Sequence, residues 1–300
     1  MSFILNNVAI IGGGGNVGKI VLNALVSSGK FNITAIQRLE SEATFPPGVT
    51  AIKSDFSDSS LEQAFKGQDA VISTVGATGL TEQQKFVDAA LRAGVKRFIP
   101  SELSASSTDE AVISLLPLFG VKKNLIDYLK SKESEGLSWT GIATSGLLDW
   151  GLSNGFLEYD LQNHTAVIWD GGDKIFSATN EKALGQSVVS VLLGPQVTAN
   201  KYLHVASVET SQNEILSALK KETGAKWTVS HVETDEVVSA AQKKLAAGDF
   251  TGAFTLVRAM MVGDIPGLKA NYIQETDLAN DLLGLKFETV KETVKRVVSQ

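Results

Sequence analysis

The sequence predicts an α/β fold: a doubly wound parallel sheet followed by a smaller C-terminal α+β region. Three observations carry that expectation. The run Gly12-Gly13-Gly14-Gly15-Asn16-Val17-Gly18 stands between the apolar stretch Val8-Ala9-Ile10-Ile11 and the helix-like start Lys19-Ile20-Val21-Leu22. Short apolar strands then alternate with helical segments as far as about residue 143, the pattern of a parallel sheet covered on both faces. After Gly146 the rhythm changes to shorter, mixed elements.

Taken in order, strands are expected over 8–11, 33–37, 50–53, 70–75, 97–100 and 139–143. Helices are expected over 17–28, 60–65, 83–93 and 118–131. Ser28-Gly29, Ala93-Gly94 and Glu135-Gly136 each place a glycine where a helix would need a left-handed C-terminal residue. In the second part, 165–169 and 174–177 flank Asp170-Gly171-Gly172-Asp173 and read as a hairpin. Helices are expected near 181–193, 211–222, 233–247 and 287–298, with strands near 202–205 and 227–232. The division is residues 1–150 for the first domain and 151–300 for a substrate region, a soft boundary because later segments can return to the first sheet.

Composition narrows the function. Apolar residues make up 43% and charged residues 20%, the balance of an ordinary globular protein. A net charge of −6 opposes broad nucleic-acid binding, which needs clustered Lys and Arg. There is no cysteine, which removes disulfides, thiolate nucleophiles and Cys-type zinc sites. No basic segment precedes the first apolar residues and the glycines interrupt them, so a cytoplasmic location with no membrane association is expected.

Strand, glycines and helix in that order build a phosphate cradle for a dinucleotide. Glycines let the backbone turn sharply and approach a pyrophosphate, while a helix N-terminus aims free N–H groups at it. Gly12, Gly15, Asn16, Val17 and Gly18 are therefore the cofactor-binding candidates. Sites for NAD place an acidic residue about 20 residues on, at the end of the second strand, to bond the ribose 2′-OH. Here that position holds Arg38, whose planar fork suits a 2′-phosphate, so NADP(H) is the expected cofactor; Glu40 follows closely. Asp55-Phe56, after the third strand, would border the adenine, or Asp55 would serve as a turn and capping residue.

These residues and a longer stretch together resemble the NmrA-like and isoflavone-reductase-like branch of the atypical short-chain dehydrogenases. The matching features are Gly12-x-x-Gly15-x-x-Gly18, Arg38, Ser54-Asp55-Phe56, Val71-Ile72-Ser73-Thr74-Val75-Gly76 and Val95-Lys96-Arg97-Phe98-Ile99-Pro100-Ser101-Glu102. The last is the most specific, and the likeness is strong over 4–150 and diffuse beyond. The resemblance implies a Rossmann-type NADP(H)-binding domain with a smaller C-terminal domain. It implies that Thr74, Val75 and Gly76 lie near the nicotinamide and that Thr144, Ser145 and Gly146 border the substrate. It also implies that Lys122, in Phe119-Gly120-Val121-Lys122, is the catalytic residue.

At 100° per residue, Leu118, Val121, Leu125 and Leu129 form one apolar face of that helix, and Lys122 falls inside it about 40° from Leu118. A lysine there either snorkels or is held for a purpose. Tyr128-x-x-x-Lys132 matches the Tyr-Lys pair of typical short-chain dehydrogenases, but its register is poor: the position matching that tyrosine holds Leu118. His164, His204 and His231 have no metal-ligand spacing and read as packing or surface residues, so no metal is expected. Ser101-Glu102 reads as support for the site or as a cap for the next helix, and Ser145 lacks a Gly-x-Ser-x-Gly elbow.

The expected function is an NADPH-dependent reductase of a small aromatic or conjugated carbonyl-type substrate, with Lys122 stabilising or protonating the substrate oxygen. The alternative is a non-catalytic NADP(H)-binding regulator that senses cofactor redox state and acts through a protein partner. The missing tyrosine favours the regulator, and Lys122 favours the enzyme.

Overall fold

The structure, a computed structural model, describes residues 4–299; residues 1–3 and 300, the outer ends of the two expected domains, lie outside the described residues. Strands β1 (Asn7–Ile11), β2 (Asn32–Arg38), β3 (Val49–Ser54), β4 (Ala70–Ser73), β5 (Arg97–Ile99) and β6 (Ser138–Ala143) belong to one seven-stranded sheet. The shorter strands are β7 (Gly146–Leu147), β8 (Tyr159–Asp160), β9 (Thr165–Trp169), β10 (Phe176–Thr179), β11 (Lys201–His204), β12 (Val208–Thr210) and β13 (Thr228–Val232), of which β11 completes the large sheet. Its order is β11-β6-β5-β4-β1-β2-β3, and the pairings from β3 through to β6 are parallel.

The helices explain that order. α1 (Asn16–Ser28), α2 (Asp58–Phe65), α3 (Gln83–Arg92), α4 (Glu110–Leu115) and α5 (Leu118–Ser131) come first, and α1, α2, α3 and α5 supply crossovers between parallel strands. Strands β1, β2, β4 and β5 read as near-continuous apolar runs because both faces of the sheet are covered. Ile36, Leu61, Phe65, Val71, Phe86, Phe98, Leu125, Leu129 and Trp139 share one buried cluster. Helices end where the glycines are: Gly29, Gly94 and Gly136 adopt φ of +62°, +75° and +93°.

The chain divides into two compact units. One takes residues up to Leu103 with Leu118–Ala143 and Leu184–Leu203; the other takes Ser104–Pro117, Thr144–Ala183 and the chain from His204 onward. In the first unit, a buried arginine fastens the returning segment. Arg97 on β5 is 0% exposed and donates to Ser138 Oγ (2.8 Å), Thr140 Oγ1 (2.9 Å), Thr198 Oγ1 (3.1 Å) and the Pro195 carbonyl (2.5 Å). Burial pushes its pKa down to about 10. Truncation would strand these acceptors away from water, so Arg97→Ala should lower the unfolding free energy by about 3 kcal/mol, seen as a lower urea midpoint at unchanged m-value.

The second unit holds α6 (Leu148–Ser153), most of α7 (Glu181–Leu193) being in the first, then α8 (Gln212–Thr223), α9 (Thr234–Ala246), α10 (Thr251–Val262), α11 (Tyr272–Glu275), α12 (Asn280–Leu283) and α13 (Val290–Val298). The expected hairpin across 170–173 is not formed. β9 pairs in parallel with β13 and antiparallel with β8, whereas β10 belongs to a separate sheet with β12 and β7. The turn between them is held from outside: the Asp170 carboxylate accepts from Thr234 N (2.8 Å), Thr234 Oγ1 and Asp264 N (3.0 Å). Gly171 and Gly172 supply φ above +80° for a change of sheet rather than for a return. Among the described residues, no helix is long and apolar enough to cross a membrane.

Candidate functional site

The order of the large sheet reverses at β1, which pairs with β2 on one side and β4 on the other. Connections leave this point in opposite directions, which opens a crevice at the C-terminal strand ends. The chain leaves β1 through Gly12 at φ +83°, where a Cβ would lie 2.9 Å from the Thr74 carbonyl. Gly15 N then donates to the Gly12 carbonyl at 3.0 Å, closing the turn. A Cβ on Gly18 would sit 2.1 Å from that same carbonyl oxygen, so the first turn of α1 lies directly on the loop. Gly15 caps α1 without a side-chain hydrogen bond, and no acidic residue stands in the first turn. That end keeps its dipole and its donors for an anion.

A cavity of about 400 Å³ opens above this turn. Gly12, Gly13, Gly14 and Gly15 form its floor, Arg38 and Phe56 one wall, and Thr74, Val75 and Gly76 another. Thr74 is fixed by two bonds to the Ile11 carbonyl, from N (2.9 Å) and from Oγ1 (2.8 Å). Phe56 adopts φ +58° and meets Phe86 edge to face at 5.6 Å, which gives the cavity an aromatic end. Arg38 is 71% exposed and pairs with Glu40 at 3.2 Å, an interaction weak enough in solvent to yield to a phosphate. Asn16, Val17 and Gly18 form the first helical turn next to the floor. Asp55 does not line the cavity; its carboxylate accepts from Ser57 Oγ (2.7 Å) and Ser57 N (2.9 Å), bonds that hold its pKa below the ordinary value.

Sequence reasoning missed Gln37, Phe45 and Phe86 in this wall. Among the described residues, Gln37 Oε1 is a buried acceptor with no hydrogen-bond partner. The glycine turn, the uncapped helix, Arg38 and the aromatic end together match the charge and shape of a phosphorylated dinucleotide.

Lys122 is built by other parts of the same unit. Its Nζ donates to the Glu102 carbonyl at 2.8 Å and lies 5.0 Å from the centre of the Phe119 ring. The lysine is 9% exposed and Glu102 is 1% exposed. Burial pushes the ammonium pKa down, and the negative charge of Glu102 opposes the shift. Glu102 follows Ser101, whose Oγ donates to the Val75 carbonyl at 2.7 Å and whose N donates to Gln83 Oε1 at 2.9 Å. One short segment therefore bonds both Lys122 and the cavity wall. The buried stripe of α5 is Phe119, Lys122, Leu125, Ile126 and Leu129, whereas Leu118 and Val121 are half-buried. The expected face is thus rotated toward Phe119, because α5 packs on both α3 and β6, and Lys122 lies well within it.

In the competing pair, Lys132 Nζ lies 5.3 Å from the centre of the Tyr128 ring, and each residue has a further partner. Tyr128 OH donates to Asp88, and Lys132 bonds Glu135 at 2.8 Å. Burial, with Asp88 beside it, raises the Tyr128 pKa, which weakens it as an acid.

In the second unit, Ser145 adopts φ +54° and its Oγ donates to the Ser177 carbonyl at 2.8 Å. Thr144 Oγ1 donates to the Ser145 carbonyl at 3.3 Å, and a Cβ on Gly146 would lie 1.9 Å from Met261 Sδ. These three residues present backbone and shape rather than free hydroxyls. His204 Nε2 lies 3.2 Å from Ser106 Oγ and its ring meets Tyr272 at 5.1 Å, a packed histidine whose pKa burial lowers. Among the described residues, no group of three or more His, Asp or Glu is arranged to hold a metal ion.

Comparison with known proteins bears on this arrangement. A model of the NmrA-like family matches residues 5–265. Oxidoreductase aprR of Aspergillus flavus is 34% identical over 295 residues, covering 97% of this chain and 98% of that one. Oxidoreductase poxI of Penicillium oxalicum is 33% identical over 289 residues, covering 95% and 91%. The binary complex of leucoanthocyanidin reductase with NADPH from Vitis vinifera superposes with a TM-score of 0.77 at 20% identity, over 98% of this chain and 100% of that one, a likeness of fold.

Proposed function

The chain belongs to the NmrA-like family of atypical short-chain dehydrogenases, and from that premise we propose that it is an NADPH-dependent reductase of a small aromatic or conjugated carbonyl-type substrate. The observation that carries the reading is the cavity at the sheet's switch point, where the glycine turn, Arg38 and Thr74–Gly76 converge. Gly12, Gly15 and the first turn of α1 at Asn16, Val17 and Gly18 hold the pyrophosphate. Arg38 turns from Glu40 to the 2′-phosphate. Phe56 borders the adenine, with Asp55 fixing the turn that presents it. Thr74, Val75 and Gly76 form the wall for the nicotinamide.

The bound nicotinamide supplies a hydride. Lys122 holds a proton at Nζ, and as the substrate carbon is reduced its ammonium stabilises or protonates the oxygen where negative charge gathers. Burial pushes the pKa of that ammonium down, and the negative charge of Glu102 opposes the shift. Thr144, Ser145 and Gly146 shape the substrate side. Leu118 stands where typical short-chain dehydrogenases have their tyrosine, which leaves the proton to Lys122 or to a relayed water.

Arg38 gives the test. Charge-assisted bonds to a phosphate contribute about 1.5–3 kcal/mol, or about 10- to 100-fold in affinity. Arg38→Ala should weaken NADPH by that factor in a fluorescence titration and leave NADH within about threefold. Wild type should oxidise NADPH against some members of a panel of aryl ketones, enones and quinones. Equal loss of both cofactors, or no turnover across the panel, would count against the reading.

A further inference from the structure

Tyr202 comes from β11, the last strand to join the large sheet, and its hydroxyl donates to Glu102 Oε2 at 2.6 Å. Its ring lies against Gly141 of β6, where a Cβ would come within 2.8 Å of the ring edge. The sheet thus has a glycine where the ring packs, and the hydroxyl ends on a carboxylate that is 1% exposed. Phenylalanine would keep the ring's packing and lose the hydroxyl's bond to Glu102. We propose that Tyr202 is a positioning residue for Lys122: its hydroxyl holds the Glu102 side chain, and with it the backbone carbonyl and the negative charge that keep the Lys122 ammonium in place. This rests on the reading of Lys122 as the proton donor.

The physical reason is the cost of burying charge. A carboxylate removed from water needs donors, and a short O–H···O⁻ bond is among the strongest available. Without it the negative charge of Glu102 is less well supported. Burial then acts on Lys122 with less opposition, so its proton is lost at lower pH. Other charged groups on the elements packed against α5 have partners of their own, Arg92 of α3 pairing with Asp58 and Glu62. Asp88 of α3 bonds Tyr128, Glu82 bonds Lys85, Glu133 bonds Trp139 and Glu135 bonds Lys132. On α5 itself, Lys123 and Lys130 pair with Asp127.

The test is the titration of Lys122 in the intact chain, followed by NMR of the labelled lysine Cε and assigned by its loss in Lys122→Ala. Tyr202→Phe should move the Lys122 midpoint down by about one pH unit. It should also lower kcat about tenfold with KM unchanged, and shift the alkaline limb of the kcat profile the same way. Glu102→Gln should move the midpoint further, and it carries the test if Tyr202→Phe does not fold. An unchanged midpoint in a folded variant overturns the inference, even if Lys122→Ala abolishes turnover. A shifted midpoint with full turnover in Lys122→Ala supports the linkage and overturns the catalytic reading instead.

Discussion

Lys122→Ala is expected to lower kcat by about 10²- to 10⁴-fold, the range of a lost general acid, while NADPH binds as in wild type. Two features separate the effects. The residues around the cavity come from the ends of β1, β2, β3 and β4, the segments that follow them and Phe86 of α3, whereas Lys122 stands on α5 and bonds the Glu102 carbonyl at 2.8 Å. Truncation leaves that carbonyl and the Glu102 charge in a buried place, which costs about 1–3 kcal/mol of stability. A loss of that size lowers the thermal midpoint without unfolding the chain. Lys122→Arg should not restore turnover, because a guanidinium stays charged and is a poor proton donor near neutral pH. Steady-state kinetics with a fluorescence titration of NADPH measures both quantities. Wild-type turnover in the alanine variant would remove Lys122 from the chemistry.

Gly18→Ala is expected to raise the NADPH dissociation constant by about 100-fold or more, since a displacement near 1 Å at a positioned group costs that much. The added methyl would lie 2.1 Å from Gly12 O, 2.8 Å from Gly13 Cα and 2.9 Å from Gly12 C. All three are backbone atoms with no rotamer to change, so the loop must lift from α1 and the cradle opens. Gly29→Ala is the control: its φ of +62° is strained for alanine, but nothing lies within 4 Å of the new Cβ. It should lose about 1 kcal/mol of stability and bind NADPH normally. Equal binding in the two variants would show that the close approach at Gly18 does not shape the site.

What was legible in the sequence was local. The glycine run, the first six strands and the Lys122 helix each declare themselves within about twenty residues, through periodicity, caps and backbone freedom. What was not legible depends on distant partners. Asp170-Gly171-Gly172-Asp173 between two apolar runs looks the same whether the chain returns on itself or passes to another sheet. The choice is made by β13 and by Thr234, some sixty residues on. Phe56 reaches the cavity and Asp55 does not because the backbone at Phe56 takes φ +58°, a conformation its sequence does not announce. Lys122 could be picked out by motif, but the groups that hold it could not. Glu102 and Tyr202 lie on different strand ends, and only the topology of the sheet brings them to one place.

The proposed reaction is hydride transfer from NADPH to a small carbonyl-type compound. The most direct measurement is mass spectrometry of the products formed from NADPH deuterated at C4 of the nicotinamide, on the hydride-donating face. A reduced ketone or enone should carry one deuterium on carbon, and none on that carbon when ordinary NADPH is used in D₂O. Tight NADPH binding with no deuterium on carbon in any product of the ketones and enones, and no NADPH oxidation with the quinones, would contradict it.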